Sequence, residues 1–407
     1  MAAPKLLYVT SSFPYGLNDL FFEPEVRELV RQSVDVRPVP VRPRGPVTAA
    51  DAESLSLRRP LFDLGIATAA VAETLRAPVA VASTFALLFR SPRPKVLLRN
   101  VVSFPKALWL GRLARSWGAN HIHAHWAGPP ATVALVASRI SGVPWSVTAH
   151  ASDISANNLL REKSTSARFV RFIAEAMMDR ARKTAPGIDE SRWVLVRFGI
   201  DVPEPRTRRQ TLNDPPVLLM ASRFDPGKRQ DLLIHATRRL LDDGVDLEVR
   251  LAGRAGPLEE EAKQLALRLG IDQSIRFQGV VPRATLLEWL ASGQVDAAVL
   301  ASDREGVPVA LIEALAHCVP AIGTDVGGIP ELLGDGCGEL VPPGDADALA
   351  TAIARVLRTP ELRKRIVGAG RARIEREFAV ASVVHRLREL FDFVDDGTDT
   401  PAPTDVG

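Results

Sequence analysis

The chain has 407 residues, of which 46% are hydrophobic and 24% charged, the ordinary composition of a globular protein in water. One hydrophobic core does not extend over such a length, so we expect two domains of roughly 200 residues each. The sequence has no apolar run near the roughly 18 residues of a spanning helix, no signal-peptide pattern and only two cysteines, which argues against a membrane-spanning protein and a disulfide framework. We therefore expect a cytoplasmic location.

Charge is distributed unevenly along the chain. Residues 1–200 carry 26 lysines and arginines against 15 acids, whereas the remainder carries 25 against 33. Between Thr74 and Asn120 there are eight bases and no acid, interleaved with leucines and aromatic residues. This pattern predicts a basic apolar face that suits an anionic membrane surface or an anionic acceptor. The alternative is a solvated helix face beside core helices. No nucleic-acid-binding motif is present, so no nucleic-acid partner is expected.

The first half of the chain reads as alternating strands and helices. The predicted strands are Lys5–Thr10, Val34–Val41, His121–His125, Pro144–Thr148 and Phe169–Ala174. The predicted helices are Phe21–Gln32, Ala67–Arg90, Lys106–Trp117, Thr132–Ser141 and Ala176–Lys183, and Arg42–Pro60 is predicted to be a loop.

Three histidines alternate along the third of these strands, in the sequence His121-Ile-His-Ala-His125. Alternation places all three on one face of the strand, where a metal ion could bind. A metal-dependent hydrolase is therefore one alternative for this chain. It would need further ligands on neighbouring strands, for which His150 and Asp153 are the candidates.

The second half alternates more regularly. Strands are predicted at Val217–Ser222, Leu247–Ala252, Ile275–Gln278, Ala297–Ala301 and Ala321–Thr324, with helices near 231–242, 257–269, 284–291 and 309–317. This order predicts an open parallel sheet covered by helices on both faces, which binds ligands at the carboxyl ends of its strands. Asp345-Ala-Asp347 opens an apolar helix and is interpreted as an N-cap, not as a metal site.

Charged residues follow two of these strands. Arg223 and Lys228 come after the first strand and suit a diphosphate, although two surface bases in a loop are the simpler interpretation. After Ala301 a polar loop leads to Pro308, which is predicted to open a helix that ends near Cys318. Glu305 and Glu313 lie on either side of this helix start with seven residues between them. A helix N-terminus attracts phosphate and carboxylates accept hydrogen bonds from sugar hydroxyls, a combination typical of a nucleotide-sugar site. The alternative is that Glu305 is a charge at the helix N-terminus and that Glu313 lies on a solvated helix face.

This stretch resembles the E-x7-E signature of the retaining glycosyltransferases of family 4, followed by that family's Gly-Gly-Ile-Pro-Glu loop at Gly327–Glu331. Thr148-Ala-His-Ala-Ser-Asp153 resembles the family's T-A-H-x-x-D motif. Ser222–Arg229 resembles its G-R-x-x-x-x-K-G segment, with both charged residues kept and both glycines replaced. The N-terminal loop departs from the family pattern, because it has a single glycine, Gly16.

The resemblance implies an α/β protein with the GT-B fold, in which two Rossmann-like domains face an interdomain cleft. Residues 1–202 would form the acceptor-side domain and 203–378 the nucleotide-sugar domain. Residues 379–394 would form a helix that crosses back to the first domain, and 395–407 a disordered tail.

The resemblance also implies roles for individual residues. His150, Glu305, Arg223 and Lys228 would act in catalysis. The donor would be bound by Arg223, Lys228, Val281, Glu305, Gly306, Val307, Pro308 and Glu313. The acceptor side would include Gly16, His125, Trp126 and Asp153.

The implied activity is transfer of a hexose from a nucleotide-diphosphate sugar to a hydroxyl of a saccharide, lipid-linked or polysaccharide acceptor, with no metal and no other cofactor. Peripheral contact with the inner face of the cell membrane would be made through the basic 74–120 region. Two alternatives remain: another enzyme on this fold, such as a nucleotide-sugar epimerase or phosphorylase, and a catalytically inactive partner subunit. Intact Arg223, Lys228, Glu305 and Glu313 argue against the inactive subunit.

Overall fold

The computed structural model describes residues 3–16, 22–204, 211–256 and 258–393. These residues form two compact units. Unit 1 contains the described residues of 1–171, 184–199 and 380–407, and unit 2 contains those of 172–183 and 200–379. The predicted tail at 395–407 and linker residues 205–210 lie outside the described residues.

Unit 1 is built on a six-stranded sheet. Its strands are β1 (Lys5–Thr10), β2 (Asp35–Pro40), β3 (His121–His125), β4 (Trp145–Ala149), β5 (Val170–Phe172) and β6 (Trp193–Leu195), in the order β2-β1-β3-β4-β5-β6. β1 pairs in parallel with β2 and β3, and β3 pairs in parallel with β4. The apolar run of β1 is explained by burial, because Leu6 to Val9 are inaccessible to solvent.

The helices of unit 1 are α1 (Glu23–Arg31), α2 (Ala50–Leu55), α3 (Leu64–Arg76), α4 (Pro78–Leu87), α5 (Pro94–Trp117), α6 (Pro129–Ser141), α7 (Ala151–Ala156), α8 (Leu160–Ser166) and α17 (Val380–Phe391). The α6 helix packs on the sheet, α5 packs on α6, and α3 packs on α5. The prediction of one helix over Ala67–Arg90 is wrong. The chain bends by 112° between α3 and the segment Pro78–Arg90, because Pro78 has no N–H to continue the first helix. The predicted loop Arg42–Pro60 contains α2, and α5 begins at Pro94 rather than at Lys106.

The core of unit 1 joins distant parts of the chain. Val384, Leu387 and Phe391 of α17 are buried in one cluster with Leu6 and Tyr8 of β1. A buried ion pair lies nearby, in which the Arg171 guanidinium donates to both carboxylate oxygens of Glu25 at 2.7 and 2.8 Å. Bidentate geometry and further hydrogen bonds are what make a buried pair tolerable.

Unit 2 is built on a second six-stranded sheet, in which every pair of neighbouring strands is parallel. Its strands are β7 (Val217–Ala221), β8 (Glu248–Ala252), β9 (Ile275–Gly279), β10 (Ala297–Leu300), β11 (Ala321–Thr324) and β12 (Glu339–Val341), in the order β12-β11-β10-β7-β8-β9. Its helices are α9 (Glu175–Thr184, whose last residue falls in unit 1), α10 (Gln230–Asp242), α11 (Glu259–Arg268), α12 (Arg283–Ala291), α13 (Val309–Ala316), α14 (Ile329–Leu333), α15 (Ala346–Arg358) and α16 (Pro360–Glu377).

Both sheets have a point at which the strand order reverses, between β1 and β3 in unit 1 and between β7 and β10 in unit 2. Ligands of open α/β sheets bind outside the carboxyl ends of the strands at such a point. The N-cap interpretation of Asp345 is confirmed, since its carboxylate accepts the N–H of Ala348 at 2.8 Å.

The predicted basic apolar face over 74–120 is wrong in part. Phe104, Leu108 and Leu110 belong to the core, and the Lys106 side chain is fully buried. Its ammonium donates to the carbonyls of Pro40 and Arg59 at 2.5 and 2.6 Å. Burial lowers the pKa of Lys106 to about 7, so this base is a structural element of the interior.

Among the described residues, no single helix has the length and apolar character to cross a membrane. The consecutive segments Leu64–Arg76 and Pro78–Arg90 meet the criterion only when taken together.

Candidate active site

In unit 1 the predicted site residues follow the ends of adjacent strands. Gly16 lies in the loop after β1, His125 ends β3 and is followed by Trp126, and His150 directly follows β4. Because β1, β3 and β4 are neighbours in the sheet, their ends lie side by side at the point where the strand order reverses.

His125 and His150 are in direct contact. Their Nε2 atoms are 3.0 Å apart, and Nδ1 of His125 lies 2.7 Å from the hydroxyl of Tyr8. Burial lowers the pKa of His150 to about 3, with a further contribution from the positive charge of Arg171. Burial also holds the pKa of His125 well below its usual value. Both imidazoles are therefore neutral at physiological pH and act as hydrogen-bonding groups.

The other two histidines of β3 form hydrogen bonds with side chains of the neighbouring strand β4. His121 and His123 both bond the hydroxyl of Ser146 at 2.8 Å, and His123 also bonds Thr148 at 3.0 Å. Over the parts of the chain that the structure describes, no group of three or more His, Cys, Asp or Glu side chains is arranged to hold a metal ion. The three alternating histidines make hydrogen bonds within unit 1: His121 and His123 bond side chains of β4, and His125 bonds Tyr8 and His150.

Trp126 has an unusual backbone conformation. Its φ of 96° lies in the left-handed region, which is costly for a bulky residue and persists only where the surroundings determine it. The next peptides are held from both sides: Asp153 accepts the N–H of Ala127, and the Lys163 ammonium donates to the carbonyls of Ala127 and Gly128 at 2.6 and 3.0 Å. The Trp126 ring lies with its centroid 4.3 Å from that of His150, at 39° to it.

Asp153 and Lys163 are both buried, and burial perturbs both groups. It raises the pKa of Asp153 to about 7, against the stabilising hydrogen bonds from Ala127 and His150. It lowers the pKa of Lys163 to about 7, against the attraction of Asp153. Asp153 also accepts the backbone N–H of His150 at 2.8 Å. The structure thus places Asp153 where it fixes the backbone of both His150 and the Trp126 loop.

Gly16 lies in a loop stabilised by a neighbouring segment. Its φ is 78°, its N–H donates to the carbonyl of Pro46 at 2.9 Å, and its carbonyl accepts the hydroxyl of Thr48 at 3.0 Å. The left-handed φ explains why glycine stands here.

In unit 2, two predicted donor residues are brought together at the point where the strand order reverses. Lys228, in the loop after β7, forms an ion pair with Glu305, in the loop after β10, with 2.5 Å between Nζ and Oε2. Glu305 also accepts hydrogen bonds from the hydroxyl of Ser302 at 3.3 Å and from the N–H of Gly306 at 3.2 Å. The Lys228 and Glu305 side chains are 20% and 11% exposed, which leaves part of each available to a ligand.

Gly327 and Gly328, which follow β11, pack directly against the backbone of the loop that holds Glu305. A Cβ on Gly327 would lie 1.8 Å from the carbonyl oxygen of Glu305, and one on Gly328 would lie 2.3 Å from that of Gly306. Only glycine permits this approach of two backbones. The last residue of the same motif, Glu331, accepts the first N–H groups of α9, those of Glu175 and Ala176, at 2.8 Å each.

Arg223 is not brought to the same ion pair. It is 60% exposed and pairs with Asp225 at 2.9 Å. The guanidinium that reaches across to the β10 loop is that of Arg229, which bonds both Asp231 and Asp303. Arg229 therefore ties the loop after β7 to the loop after β10.

The second predicted glutamate, Glu313, lies on α13 and is 8% exposed. Its carboxylate accepts from Nε of Arg283, at the start of α12, at 2.6 Å. Val281, which is half-buried, lies two residues before Arg283. Pro308 is the N-cap of α13 rather than its first residue, and the helix ends at Ala316 rather than near Cys318.

Four residues at these sites were not identified from the sequence: Tyr8, Lys163, Ser302 and Arg283. Tyr8 and Lys163 lie 117 and 36 residues from the groups that they contact, so no local pattern indicates them. Ser302 lies inside the polar loop predicted after Ala301, whereas Arg283 lies just before the helix predicted near 284–291. A polar residue directly after a buried strand was the available signal for Ser302.

The sequence is similar to a known protein family and to individual glycosyltransferases. Residues 203–373 match the family model described as glycosyl transferases group 1. The D-inositol 3-phosphate glycosyltransferase of Frankia alni is 31% identical over 289 residues, which cover 62% of this chain and 69% of that protein. The amylovoran biosynthesis glycosyltransferase AmsK of Erwinia amylovora is 28% identical over 258 residues, covering 60% of this chain and 62% of that protein, so the match spans less than two thirds of its length.

Among solved structures, HepE of Anabaena, determined with UDP and glucose, is similar with a TM-score of 0.68 at 17% sequence identity. The alignment covers 96% of this chain and 100% of that protein. At this identity the similarity concerns the fold, and it confirms the predicted α/β class with two Rossmann-like domains.

Proposed function

Because this chain belongs to the glycosyl transferases of group 1, we propose that it is a retaining, metal-independent glycosyltransferase of family 4. It moves a hexose from a nucleotide-diphosphate sugar to a hydroxyl of a saccharide, lipid-linked or polysaccharide acceptor. The observation that carries this proposal is the Lys228–Glu305 pair, formed where the strand order of unit 2 reverses. A cation for phosphate and a carboxylate for sugar hydroxyls meet there.

In the proposed reaction the acceptor oxygen forms a bond to the anomeric carbon, on the face from which the diphosphate leaves. The bond from that carbon to the diphosphate oxygen breaks, and the proton of the acceptor hydroxyl passes to the leaving phosphate. Both oxygens of Glu305 already accept hydrogen bonds. This arrangement supports a role in orienting the sugar rather than in nucleophilic attack.

Negative charge builds up on the diphosphate as its bond to the sugar breaks. Lys228 and Arg223 would stabilise this charge together with the backbone around Gly306, Val307 and Pro308, and such electrostatic stabilisation is usually the largest part of catalysis. Arg223 would exchange Asp225 for phosphate, which its 60% exposure supports. Glu313 and Val281 would hold the nucleoside, with Glu313 accepting from ribose hydroxyls.

In unit 1 we assign His150 to the transferred sugar and Gly16, His125, Trp126 and Asp153 to the acceptor side. His150 is neutral, so it would contribute a hydrogen bond and no charge. The strained φ and the half-exposed ring of Trp126 support a binding role, because an indole offers a rigid apolar surface to the C–H face of a sugar ring. Asp153 and His125 would act by fixing the positions of His150 and Trp126.

The relatives named above differ in the acceptors that their names state, so the acceptor of this chain is proposed only as a class. We also propose a cytoplasmic location, with peripheral contact to an anionic membrane through the basic 74–120 region.

The test is incubation of the protein with nucleotide-diphosphate hexoses and simple glycoside acceptors in the presence of a chelator, followed by proton NMR of the product. We expect a product whose anomeric configuration equals that of the donor. Inversion would refute the retaining mechanism, and a requirement for added divalent metal would refute metal independence. Glu305→Gln should lose turnover, whereas Glu259→Gln on α11, which pairs with Lys263 at the surface, should keep it.

A further inference from the structure

The outward faces of α3 and α4 lack the charged residues that a helix in water normally presents. Their exposed positions are Leu64, Ala67, Thr68, Val71, Thr74 and Leu75 on α3, Arg76 at the corner, and Pro78, Val79, Ala82, Ser83 and Ala86 on α4. Only Arg76 among these is charged. Leu64, Leu75 and Val79 are about 80% exposed (79%, 79% and 81%). A surface helix of a soluble protein usually places polar and charged residues on this side.

The exposed apolar residues of α3 form a stripe along one side of the helix. Leu64, Val71 and Leu75 are spaced at seven and four residues, which places them on one side of α3. The chain then bends by 112° and continues with Val79 on α4 and Phe89 in the short 3-10 turn Leu88–Arg90. Phe62, just before α3, is 91% exposed. A contiguous exposed apolar surface of this kind marks an interaction site.

Bases flank this surface. Arg90, Arg93, Lys95 and Arg99 are exposed and follow Phe89 in the chain. The nearby acids are already paired: Asp63 with Arg59 at 2.7 Å, and the buried Glu73 with Arg76 and Arg115. Glu162 lies 3.8 Å from Arg90. The surface therefore combines an uncharged apolar stripe with a positive border.

A groove of about 420 Å³ adjoins the stripe between α3 and α5. The small side chains of Ala69 and Ala72 line it on one side, and Trp109, Arg112 and Leu113 line it on the other. An aliphatic chain fits such a groove, with Arg112 available to an anionic headgroup.

We infer that this surface, Phe62 to Arg99, binds the interface of an anionic lipid bilayer. Leu64, Val71, Leu75, Val79 and Phe89 enter the boundary between headgroups and acyl chains, and the flanking bases contact anionic headgroups. The positive border favours an anionic bilayer over a second copy of the chain, whose own border is also positive. The inference rests on the proposed peripheral membrane contact and not on the proposed reaction. It assigns that contact to the surface around α3 and α4 instead of to the whole 74–120 region.

The test is flotation of the full chain with vesicles of phosphatidylcholine alone or mixed with phosphatidylglycerol. We expect binding to the mixed vesicles only, weakened at high salt. The double variant Val71→Glu/Leu75→Glu should bind at least about tenfold more weakly, since each removed apolar contact is worth roughly that factor. The control Leu267→Glu, at a 54% exposed leucine of α11, should bind like the wild type.

A second pair of variants tests the bases. Arg93→Ala/Lys95→Ala should weaken binding by roughly fivefold for each base, whereas Lys364→Ala/Arg365→Ala on α16 should have no effect. All four lysines and arginines are exposed, so folding is preserved and circular dichroism verifies it.

Absence of binding to either vesicle would overturn the inference, as would equal binding to both. A concentration-dependent dimer in sedimentation that Val71→Glu/Leu75→Glu abolishes would assign the surface to a second copy instead. Binding of nucleotide sugars is measured separately on the same preparations. Lost vesicle binding with retained donor binding would refute this inference and the proposed membrane contact on which it rests, and would leave the proposed reaction intact.

Discussion

The buried histidines make unit 1 sensitive to acid in a way that can be calculated. His121, His123, His125 and His150 all have pKa values lowered by burial, to about 3 for His121 and His150 and well below the usual value for the other two. The folded chain therefore keeps all four neutral at pH 5.5, whereas the unfolded chain protonates them with a pKa near 6.5. The contribution of the four neutral histidines to the free energy of unfolding is complete above pH 6.5, and it is lost as the pH falls below that value.

Between pH 7.5 and 5.5 each histidine contributes a loss of about 1.4 kcal/mol, and the four together about 5 to 6 kcal/mol. Asp153 acts in the opposite direction. Its pKa is raised to about 7, so it binds a proton in the folded chain as the pH falls from 7.5 to 5.5. This protonation raises the free energy of unfolding by about 2 kcal/mol. Lys106 and Lys163, whose pKa values burial lowers to about 7, each add a loss of about 0.8 kcal/mol over the same range, because the unfolded chain keeps both lysines protonated throughout. The free energy of unfolding of unit 1 should thus fall by about 5 kcal/mol.

The assay is urea unfolding followed by circular dichroism at both pH values. His121→Gln, which removes one buried imidazole, should reduce the acid-induced loss by about 1.4 kcal/mol. The matched control is His385→Gln, which removes an exposed histidine of α17 and none of the four buried imidazoles. A midpoint that stays constant or rises between pH 7.5 and 5.5 would refute the assignment of four neutral histidines.

Three further predictions concern the site. Lys228→Ala should lower kcat for glycosyl transfer by about 100-fold or more, because the charge that stabilises the leaving diphosphate is lost. Lys263→Ala is the control and should keep kcat. Equal effects of the two variants in steady-state kinetics would contradict the role of Lys228. Gly327→Ala should raise the donor KM and lower the melting temperature, because its Cβ would overlap the Glu305 carbonyl, while Gly336→Ala, which has open space, should affect only stability. Trp126→Ala should raise the acceptor KM by about tenfold and leave the donor KM unchanged; a change in the donor KM alone would remove Trp126 from the acceptor side.

Much of unit 2 could be predicted from the sequence because its signals are local. Buried parallel strands give short apolar runs, and polar residues follow directly where each strand ends. This placed Lys228 and Glu305 in the loops after β7 and β10, although the ion pair between them becomes visible only when the strand order is known. The cap at Asp345 is local in the same way.

Contacts between distant segments could not be predicted. Lys106 looked like one base among eight, yet the carbonyls of Pro40 and Arg59 surround it in the interior. Composition gives the number of charges in a segment and not the face on which each one lies. The break at Pro78 was missed because apolar residues continue on both sides of it, so the periodicity alone did not end the helix.

The proposed reaction requires that the loops after β7 and β10 bind a nucleotide-diphosphate sugar. The most direct measurement is calorimetric titration of the wild type and of Glu305→Ala with UDP-, GDP- and dTDP-hexoses in the presence of a chelator. We expect one nucleotide class to bind the wild type and Glu305→Ala to bind it at least about tenfold more weakly, since a hydrogen bond from a ligand to a charged group is worth roughly 1.5–3 kcal/mol. Absence of binding by all three classes, or equal binding by the variant, would contradict this expectation.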